Sequence, residues 1–307
     1  MKISVIGAGN VGSTTALFLA QKQLGDVVLV DVVEGLAQGK ALDLMEAAPV
    51  LGYDCRITGT DSFEAIADSS MVIITAGLAR KPGMTREDLL KKNAAIIKGI
   101  VDEIKRHAPK AFILMVTNPL DVMTYYALKT SGFERSRVFG QAGVLDGARF
   151  VSFIAEKTGV SVKEIQALVL GGHGDTMVPL PRLATVGGRP LKDAVDAATL
   201  DQLITRTRKA GAEIVSLLKT GSAYYSPAAS AVAMAEAVIK DTKAVMPASV
   251  LLEGEYGLND VCIGVPVKLG RQGVEEIVDM TLTEDEKKSL EASADIYKKA
   301  LQELFPG

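Results

Sequence analysis

The stretch "ISVIGAGNVG", residues 3–12, carries the pattern that most clearly indicates the fold class of this chain. Its first part, "ISVIG" (3–7), is an apolar run with β-branched side chains, which predicts a strand buried on both faces. The second part, "GAGNVG" (7–12), has the pattern G-x-G-x-x-G and opens a segment with helical spacing. Such a turn brings backbone N–H groups and the helix dipole to a pyrophosphate. We therefore predict a dinucleotide-binding turn made by Gly7, Ala8, Gly9, Asn10, Val11 and Gly12.

Asp31 indicates which dinucleotide is bound. It ends the next apolar run, "VVLVD" (27–31), 19 residues after Gly12, where a carboxylate can bind the ribose hydroxyls of NAD. No arginine follows Asp31 closely, and the carboxylate would repel the 2′-phosphate of NADP. We predict NAD as the cofactor; the alternative is a structural glycine turn followed by an unrelated strand-end aspartate.

The first half of the chain alternates strands with helices. Apolar runs at 71–76 and 112–116 repeat the pattern of 3–7 and 27–31, and helical spacing fills 10–22, 35–48 and 86–106. This alternation predicts an α/β fold with a Rossmann-type doubly wound parallel sheet.

The second half is less regular and predicts an α+β substrate domain. Helical patterns fill 145–158, 199–219 and 226–240, strands are expected near 165–170, 246–253, 261–268 and 274–280, and Thr283 with Glu286 forms a capping box before the last helix. We place an NAD-binding domain at 1–142 and a catalytic domain at 143–307.

Composition argues against several classes of protein. The 307 residues carry a net charge of −3, so the chain lacks the excess of positive charge that is typical of nucleic-acid-binding proteins. No apolar run approaches the roughly 20 residues that span a bilayer, and a first strand at Lys2 leaves no room for a signal or transit peptide. Cys55 and Cys262 match no zinc spacing, so we expect no metal and a reducing, cytoplasmic location.

Two histidines are the candidates for acid–base chemistry. His173 lies between glycines in "LVLGGHGDTMVP" (168–179), where the small neighbours expose the ring to a ligand. His107 precedes Pro109 at a helix end and is better explained as a solvated end residue. We therefore predict that His173 is the catalytic histidine.

Asp146 and Arg149 are predicted partners of that histidine and of an anionic substrate. They lie three residues apart in "GVLDGARF" (143–150), so a helix places them on one face. The apolar residues around them indicate a buried helix, in which unpaired charges would be costly. His173 could satisfy Asp146, and a substrate carboxylate could satisfy Arg149; a simple surface ion pair is the alternative.

Two further stretches lie at the carboxyl ends of predicted strands. Asn118 follows the strand "FILMV" in "VTNPLD" (116–121), and ligands of open α/β sheets bind at that edge. The loop "GLARKPGMTR" (77–86) carries Arg80, Lys81 and Arg86 and is punctuated by glycine and proline. A solvated surface loop is the simplest explanation of these cations when they are taken alone.

Taken together, these stretches resemble the lactate/malate dehydrogenase family, and most closely its lactate-dehydrogenase-like bacterial malate dehydrogenases. The resemblance covers nearly the whole chain and also rests on "GQAGVLDGARF" and "GSAYYSPA". It implies reversible NAD-dependent oxidation of (S)-malate to oxaloacetate. It also implies a homodimer or homotetramer, with the segment 35–48 as the usual dimer contact.

The resemblance assigns catalysis to three residues and substrate binding to four. His173 would be the proton acceptor and donor, oriented by Asp146, while Arg86 would polarise the reacting carbonyl. Arg149 would hold the C1 carboxylate, and Arg80 occupies the family's specificity position, where malate enzymes of this type have Arg and lactate enzymes commonly have Gln. Substrate-binding residues are thus Arg80, Arg86, Asn118 and Arg149.

The remaining assignments concern the cofactor and the competing functions. The resemblance adds Asn93, Val116, Thr117 and Asn118 to the cofactor site. Ala223 lies where lactate enzymes usually have Thr, which favours a dicarboxylate. The alternatives are a lactate or broader 2-hydroxy-acid dehydrogenase, a non-catalytic NAD sensor, and an NAD-requiring metallohydrolase on the same fold.

Overall fold

Six parallel strands and four helices form the first half of the computed structural model, which describes residues 1–78 and 85–305 but not the side chain of Arg86. The strands are β1 (Lys2–Ile6), β2 (Asp26–Val30), β3 (Ile57–Thr60), β4 (Met71–Ile74), β5 (Phe112–Met115) and β6 (Val138–Gln141). The helices are α1 (Asn10–Gln21), α2 (Leu36–Leu51), α3 (Arg86–His107) and α4 (Leu120–Ser131). The strand order β3-β2-β1-β4-β5-β6 is that of a Rossmann sheet and confirms the predicted fold class.

Three elements of this half escaped prediction, each for a physical reason. The strand β3 reads "ITGT" and β6 reads "VFGQ", so neither is a continuous apolar run. Helix α4 is buried on nearly all sides and therefore lacks the alternation of apolar and polar faces that marks a surface helix. Helix α2 also runs three residues past its predicted end, with Pro49 inside its last turn.

The second half begins with helix α5 and extends the same sheet. Its helices are α5 (Gly143–Thr158), α6 (Leu191–Ala194), α7 (Ala197–Leu218), α8 (Tyr225–Ile239) and α9 (Glu284–Leu304). Its strands are β7 (Ile165–Gln166), β8 (Val169–Leu170), β9 (Val178–Pro179), β10 (Thr185–Val186), β11 (Arg189–Pro190), β12 (Ala244–Glu253), β13 (Asn259–Gly270) and β14 (Gly273–Ile277). The strand expected near 165–170 is thus two short strands, β7 and β8.

Strand β12 joins the two halves. It pairs antiparallel with β6, with Ala248 opposite Gln141 and Ser249 opposite Gly140, and β13 and β14 follow it. Nine of the described strands therefore form one sheet that crosses the predicted boundary near residue 142. A single apolar core covers this sheet, and a smaller one packs around Phe150, Ile154 and Leu203 on the far side of α5.

The parallel strands place their carboxyl ends at one edge of the sheet. Four of these strands, β1, β2, β4 and β5, end at Ile6, Val30, Ile74 and Met115. The segments that follow them lie at that edge: the glycine turn, Asp31, the start of the loop at 77 and Asn118.

No helix within the described ranges is long and apolar enough to cross a membrane.

Candidate active site

The glycine turn leaves a cradle at the start of helix α1. Gly7 has φ +104°, and a Cβ there would lie 2.8 Å from the backbone nitrogen of Ala76. A Cβ on Gly12 would lie 1.8 Å from the carbonyl oxygen of Gly7, so strand and helix approach too closely for any side chain. A Cβ on Gly9 would meet no atom within 4 Å, and no side chain caps the helix there. The turn thus offers open space and uncapped N–H groups to an anion.

Asp31 is held beside this cradle by the backbone. Its Oδ2 accepts a hydrogen bond from the N–H of Ala8 at 2.6 Å, and its Oδ1 accepts one from the N–H of Val33 at 3.0 Å. Each carboxylate oxygen retains a further lone pair that can accept from a hydroxyl. The arrangement fits a ribose at the end of β2 and keeps a fixed negative charge where NADP would place its phosphate.

A cavity of about 400 Å³ continues from the cradle into the second half of the chain. Among the predicted site residues, it is lined by Val11, Val116, Thr117, Asn118, Arg149 and His173. Gln141 also lines it and is 2% exposed, and the Gln141 Nε2 has no hydrogen-bond partner among the described residues. A buried amide donor without a partner is costly unless a ligand accepts from it, so the cavity fits a polar group such as the carboxamide end of NAD.

Asn118 and Asn93 have different positions in this region. Asn118 follows β5, lines the cavity and is exposed, with a cis peptide bond to Pro119. Asn93 is 1% exposed, and its amide is bonded to the backbone of Leu78 and to the carbonyl oxygen of Asn118 at 2.7 Å. Asn93 therefore ties two cavity-lining segments together and does not itself line the cavity formed by the described residues.

His173 and Asp146 meet at the wall of the cavity. The His173 Nδ1 lies 2.9 Å from the Asp146 Oδ2, and their side chains are 13% and 2% exposed. Burial opposes protonation of the ring, but the charge and hydrogen bond of Asp146 outweigh it and raise the pKa of His173 above its ordinary value. With Nδ1 directed at a carboxylate, the imidazole presents Nε2 to a ligand.

Arg149 lies beside this pair, on helix α5 with Asp146. Its Nη1 is 3.3 Å from the Asp146 Oδ1, its side chain is 12% exposed, and its Nε has no partner among the described residues. The guanidinium thus keeps donors for an anion in the cavity. Helix α5 brings Asp146 and Arg149 to one face, as their spacing predicted.

Several cavity or site residues were missed by sequence reasoning. Arg208 lines the cavity from α7 and donates from Nε to the carbonyl oxygen of Met177. Gln141 is the last residue of β6, a strand that was not predicted, although its place just before "AGVLD" could have pointed to it. Asp121 lies within the quoted "VTNPLD" and, although the pattern gave it no role, accepts a hydrogen bond from the backbone of His173 at 2.8 Å.

Two of the predicted arginines belong to the loop at 77–86. Arg80, with the rest of 79–84, lies outside the described residues. Arg86 is the first residue of α3, which Thr85 caps, and its side chain is not described.

In the described part of the chain, no cluster of three or more His, Cys, Asp or Glu side chains could hold a metal ion.

A Rossmann cradle that opens into a cavity with a histidine–aspartate pair and an arginine defines a dinucleotide-dependent dehydrogenase. Residues 1–140 match the NAD binding domain of lactate/malate dehydrogenase, and residues 143–306 match the alpha/beta C-terminal domain of the same family. The chain belongs to the lactate/malate dehydrogenase family, and its cofactor is NAD.

Individual relatives agree with this membership. The chain is 53% identical over 304 residues to a malate dehydrogenase of Methanosarcina mazei, covering 99% of both. The structure of malate dehydrogenase from Salinibacter ruber matches with a TM-score of 0.96 and 50% identity, over 100% of this chain and 98% of that one. A lactate dehydrogenase from Cryptosporidium parvum, complexed with lactic acid and nicotinamide adenine dinucleotide, matches with a TM-score of 0.95 and 40% identity over 100% and 98% of the two chains.

Proposed function

We propose that this dehydrogenase interconverts (S)-malate and oxaloacetate. The observation that carries the proposal is the pair of His173 and Asp146, 2.9 Å apart in a cavity that Arg149 also lines. The pair can move a proton, and the arginine can bind a carboxylate, which are the two requirements of 2-hydroxy-acid oxidation. The relatives named malate dehydrogenase favour a dicarboxylate over lactate.

The proton is handled by His173. When NAD is bound, it supplies the two-electron redox chemistry. Neutral His173 accepts the proton of the C2 hydroxyl at Nε2, because its Nδ1–H is donated to Asp146. Asp146 thereby holds the tautomer and stabilises the imidazolium that forms. In the reverse direction the same imidazolium returns the proton to the oxygen.

The arginines handle the negative charges of the substrate. Arg149 can hold the planar C1 carboxylate with two parallel hydrogen bonds, a geometry that lysine cannot match. Arg86, placed at the start of α3, would stabilise the alkoxide that develops on oxaloacetate, a contribution of typically a few kcal/mol. Arg80, which lies outside the described residues, would pair with the second carboxylate of the substrate. Over lactate, Arg80 would remain an unpaired charge.

The test is the ratio of kcat/KM for oxaloacetate and pyruvate with NADH. We expect a strong preference for oxaloacetate, and we expect Arg80→Gln to shift the preference toward pyruvate by roughly a factor of 30, equivalent to a couple of kcal/mol. Lys81→Gln is the matched control, because it removes a neighbouring cation that we assign no contact with substrate. An Arg80→Gln ratio equal to that of the wild type would refute the specificity role of Arg80. A wild-type preference for pyruvate would make the chain a lactate dehydrogenase.

Assembly and location complete the proposal. We propose a homodimer or homotetramer, supported by exposed apolar side chains on and beside helix α2, where Leu42 is 61% and Val50 is 87% exposed. A cytoplasmic location is supported by Cys55 and Cys262, which form no disulfide.

A further inference from the structure

The loop that carries His173 is held by four anchors, which come from three elements in distant parts of the chain: β13, α9 and α4. Its Gly171 exchanges two backbone hydrogen bonds with Gly264 of β13, at 2.9 and 3.1 Å. The N–H of Gly172 donates to the Ser293 Oγ of α9 at 3.0 Å, and the Tyr297 hydroxyl donates to the carbonyl oxygen of His173 at 3.2 Å. Each of these anchors is electrically neutral.

The fourth anchor is a buried carboxylate. Asp121, in the first turn of α4, is 1% exposed and accepts the backbone N–H of His173 at Oδ2, 2.8 Å away. Its Oδ1 accepts the hydroxyl of Ser249, which is 0% exposed on β12, at 2.7 Å. Two hydrogen bonds and a helix N-terminus are the groups that stabilise a buried carboxylate.

Holding the loop in place does not by itself require an acidic residue at position 121. A serine or threonine oxygen could accept the same N–H, as Ser293 does for the neighbouring Gly172. Burying an ionisable carboxyl is costly, and burial raises the pKa of Asp121 to about 6. Above that pH the group carries a full negative charge next to the residue that binds the proton.

We propose that Asp121 is a positioning residue that acts on the proton chemistry of His173 from the backbone side, opposite to Asp146. This inference rests on the proposed function of His173 as the proton carrier. Asp146 faces the ring at Nδ1, whereas Asp121 holds the same residue at its backbone N–H. The imidazolium therefore forms near two carboxylates from two separate helices, and both favour the protonated ring, whereas the nearby cation Arg149 of α5 opposes it.

The other titratable groups around Asp121 do not compensate for its charge. Cys262 of β13 is a buried thiol whose pKa burial raises well above its ordinary value, so it stays neutral. Tyr297 of α9 is a phenol whose pKa burial also raises, and it stays neutral. Asp146 of α5 is a second acid, and His173 is the only one of these groups that can become cationic.

The sign of the effect follows from this arrangement. The charge of Asp121 adds to the contribution of Asp146 that raises the pKa of His173. Malate oxidation needs the neutral ring, so kcat/KM for malate falls as the pH drops through the pKa of His173. Removal of the charge of Asp121 would lower that pKa and move the fall in activity to lower pH.

Asp121→Asn tests the charge separately from the anchor. The amide oxygen can still accept from the N–H of His173, and the amide nitrogen can donate to Ser249, because a hydroxyl can reverse its role. Ser293→Ala is the matched control, because it removes a neutral anchor from the adjacent Gly172. Both variants should bind NADH with the affinity of the wild type.

The measurement is the imidazole titration by NMR of the full-length enzyme with NAD bound, which reports on the ring without turnover. The chain has only two histidines, and His107→Gln assigns their signals. We expect Asp121→Asn to lower the pKa of His173 by roughly half a unit or more, below the 1–3 units of a carboxylate that faces a ring directly. kcat/KM for malate at high pH should fall because the base is weaker, by at most about threefold for a half-unit shift, whereas Ser293→Ala should leave the pKa in place.

The results distinguish an electrostatic role of Asp121 from a purely structural one. An unchanged pKa of His173 in Asp121→Asn would overturn the proposal and leave Asp121 as a structural anchor. If Asp121→Asn does not fold, Ser249→Ala is the second variant, because it removes a hydrogen bond to the Asp121 carboxylate and should raise the pKa of that carboxyl. We expect the His173 signal to respond to this change, and a His173 titration curve identical to that of the wild type would also overturn the proposal. The two proposals can also fail separately. If Asp121→Asn lowers the pKa of His173 but the wild-type enzyme does not oxidise malate, the effect of Asp121 on His173 stands and the proposed substrate is wrong.

Discussion

At the scale of single residues, the environment of His173 decides its chemistry. A histidine in a polar loop would titrate near its ordinary pKa, and burial alone would keep it neutral. In this chain Asp146 reverses the effect of burial because its oxygen lies 2.9 Å from Nδ1. The ring therefore holds a proton more readily than its burial alone would allow, as a proton carrier for a reversible reaction must.

His173→Asn should separate binding from turnover. The variant keeps a polar side chain at the cavity wall but cannot accept the substrate proton, so we expect an NADH Kd within about twofold of the wild type and a loss of kcat of at least about 100-fold. Fluorescence titration with NADH and initial rates with oxaloacetate would measure both. His107→Asn is the matched control, since His107 ends α3 and contacts only Glu103 among the described charged groups. Substantial turnover in His173→Asn would show that another group carries the proton.

At the scale of elements, the first turns of helices α3, α4 and α5 position Arg86, Asp121 and Asp146. Two helices begin with capping boxes: Thr85 and Asp88 exchange hydrogen bonds at the start of α3, and Thr283 and Glu286 do so at the start of α9. The first box directly precedes Arg86, whereas the second lies outside the cavity lining. Equivalent caps therefore serve different purposes in the two helices.

Thr85→Ala and Thr283→Ala form a matched pair. Each should cost about 1 kcal/mol of helix stability, because each removes one capping acceptor. Only Thr85→Ala should also lower kcat/KM for oxaloacetate, by loosening the first turn that carries Arg86. Urea unfolding and initial rates would measure the two effects. Equal kinetics in the two variants would contradict the placement of Arg86 in the substrate site.

At the scale of the whole molecule, one sheet joins the two predicted domains. Strand β12 pairs with β6 across the boundary at residue 142, and α8 packs against α1. The apolar core includes residues of both halves, such as Ile3 and Val265. Neither half can therefore bury its apolar surface without the other.

Calorimetry should give a single unfolding transition for the full chain, because the shared core makes the two halves cooperative. A fragment of residues 1–142 should be unstable or aggregated, since it would expose the edge of β6 and the face of α1 that α8 covers. Size-exclusion chromatography of the fragment provides the second measurement. Two separate transitions, or a stable monomeric fragment, would show that the halves are independent domains.

Features that depend on local spacing could be predicted from the order of residues alone. The glycine turn, Asp31, the pairing of Asp146 with Arg149 on one helix face and the choice of His173 as the site histidine all follow from residues close in the chain. The alternation of apolar runs with helical patterns likewise predicted the Rossmann-type parallel sheet of the first half, although not its strand order. Such features need only local backbone geometry and the burial of strands.

The tertiary structure alone decided the contacts between distant segments. Asp121 is 52 residues from His173 and 128 from Ser249, and Ser293 is 121 from Gly172, so no spacing rule could pair them. Helix α4 and strand β6 were missed because a fully buried helix and a four-residue strand with glycine lack a periodic signal. The unpartnered amide of Gln141 and the continuation of the sheet into β12 became visible only in three dimensions, because burial and hydrogen-bond satisfaction are properties of the packed chain.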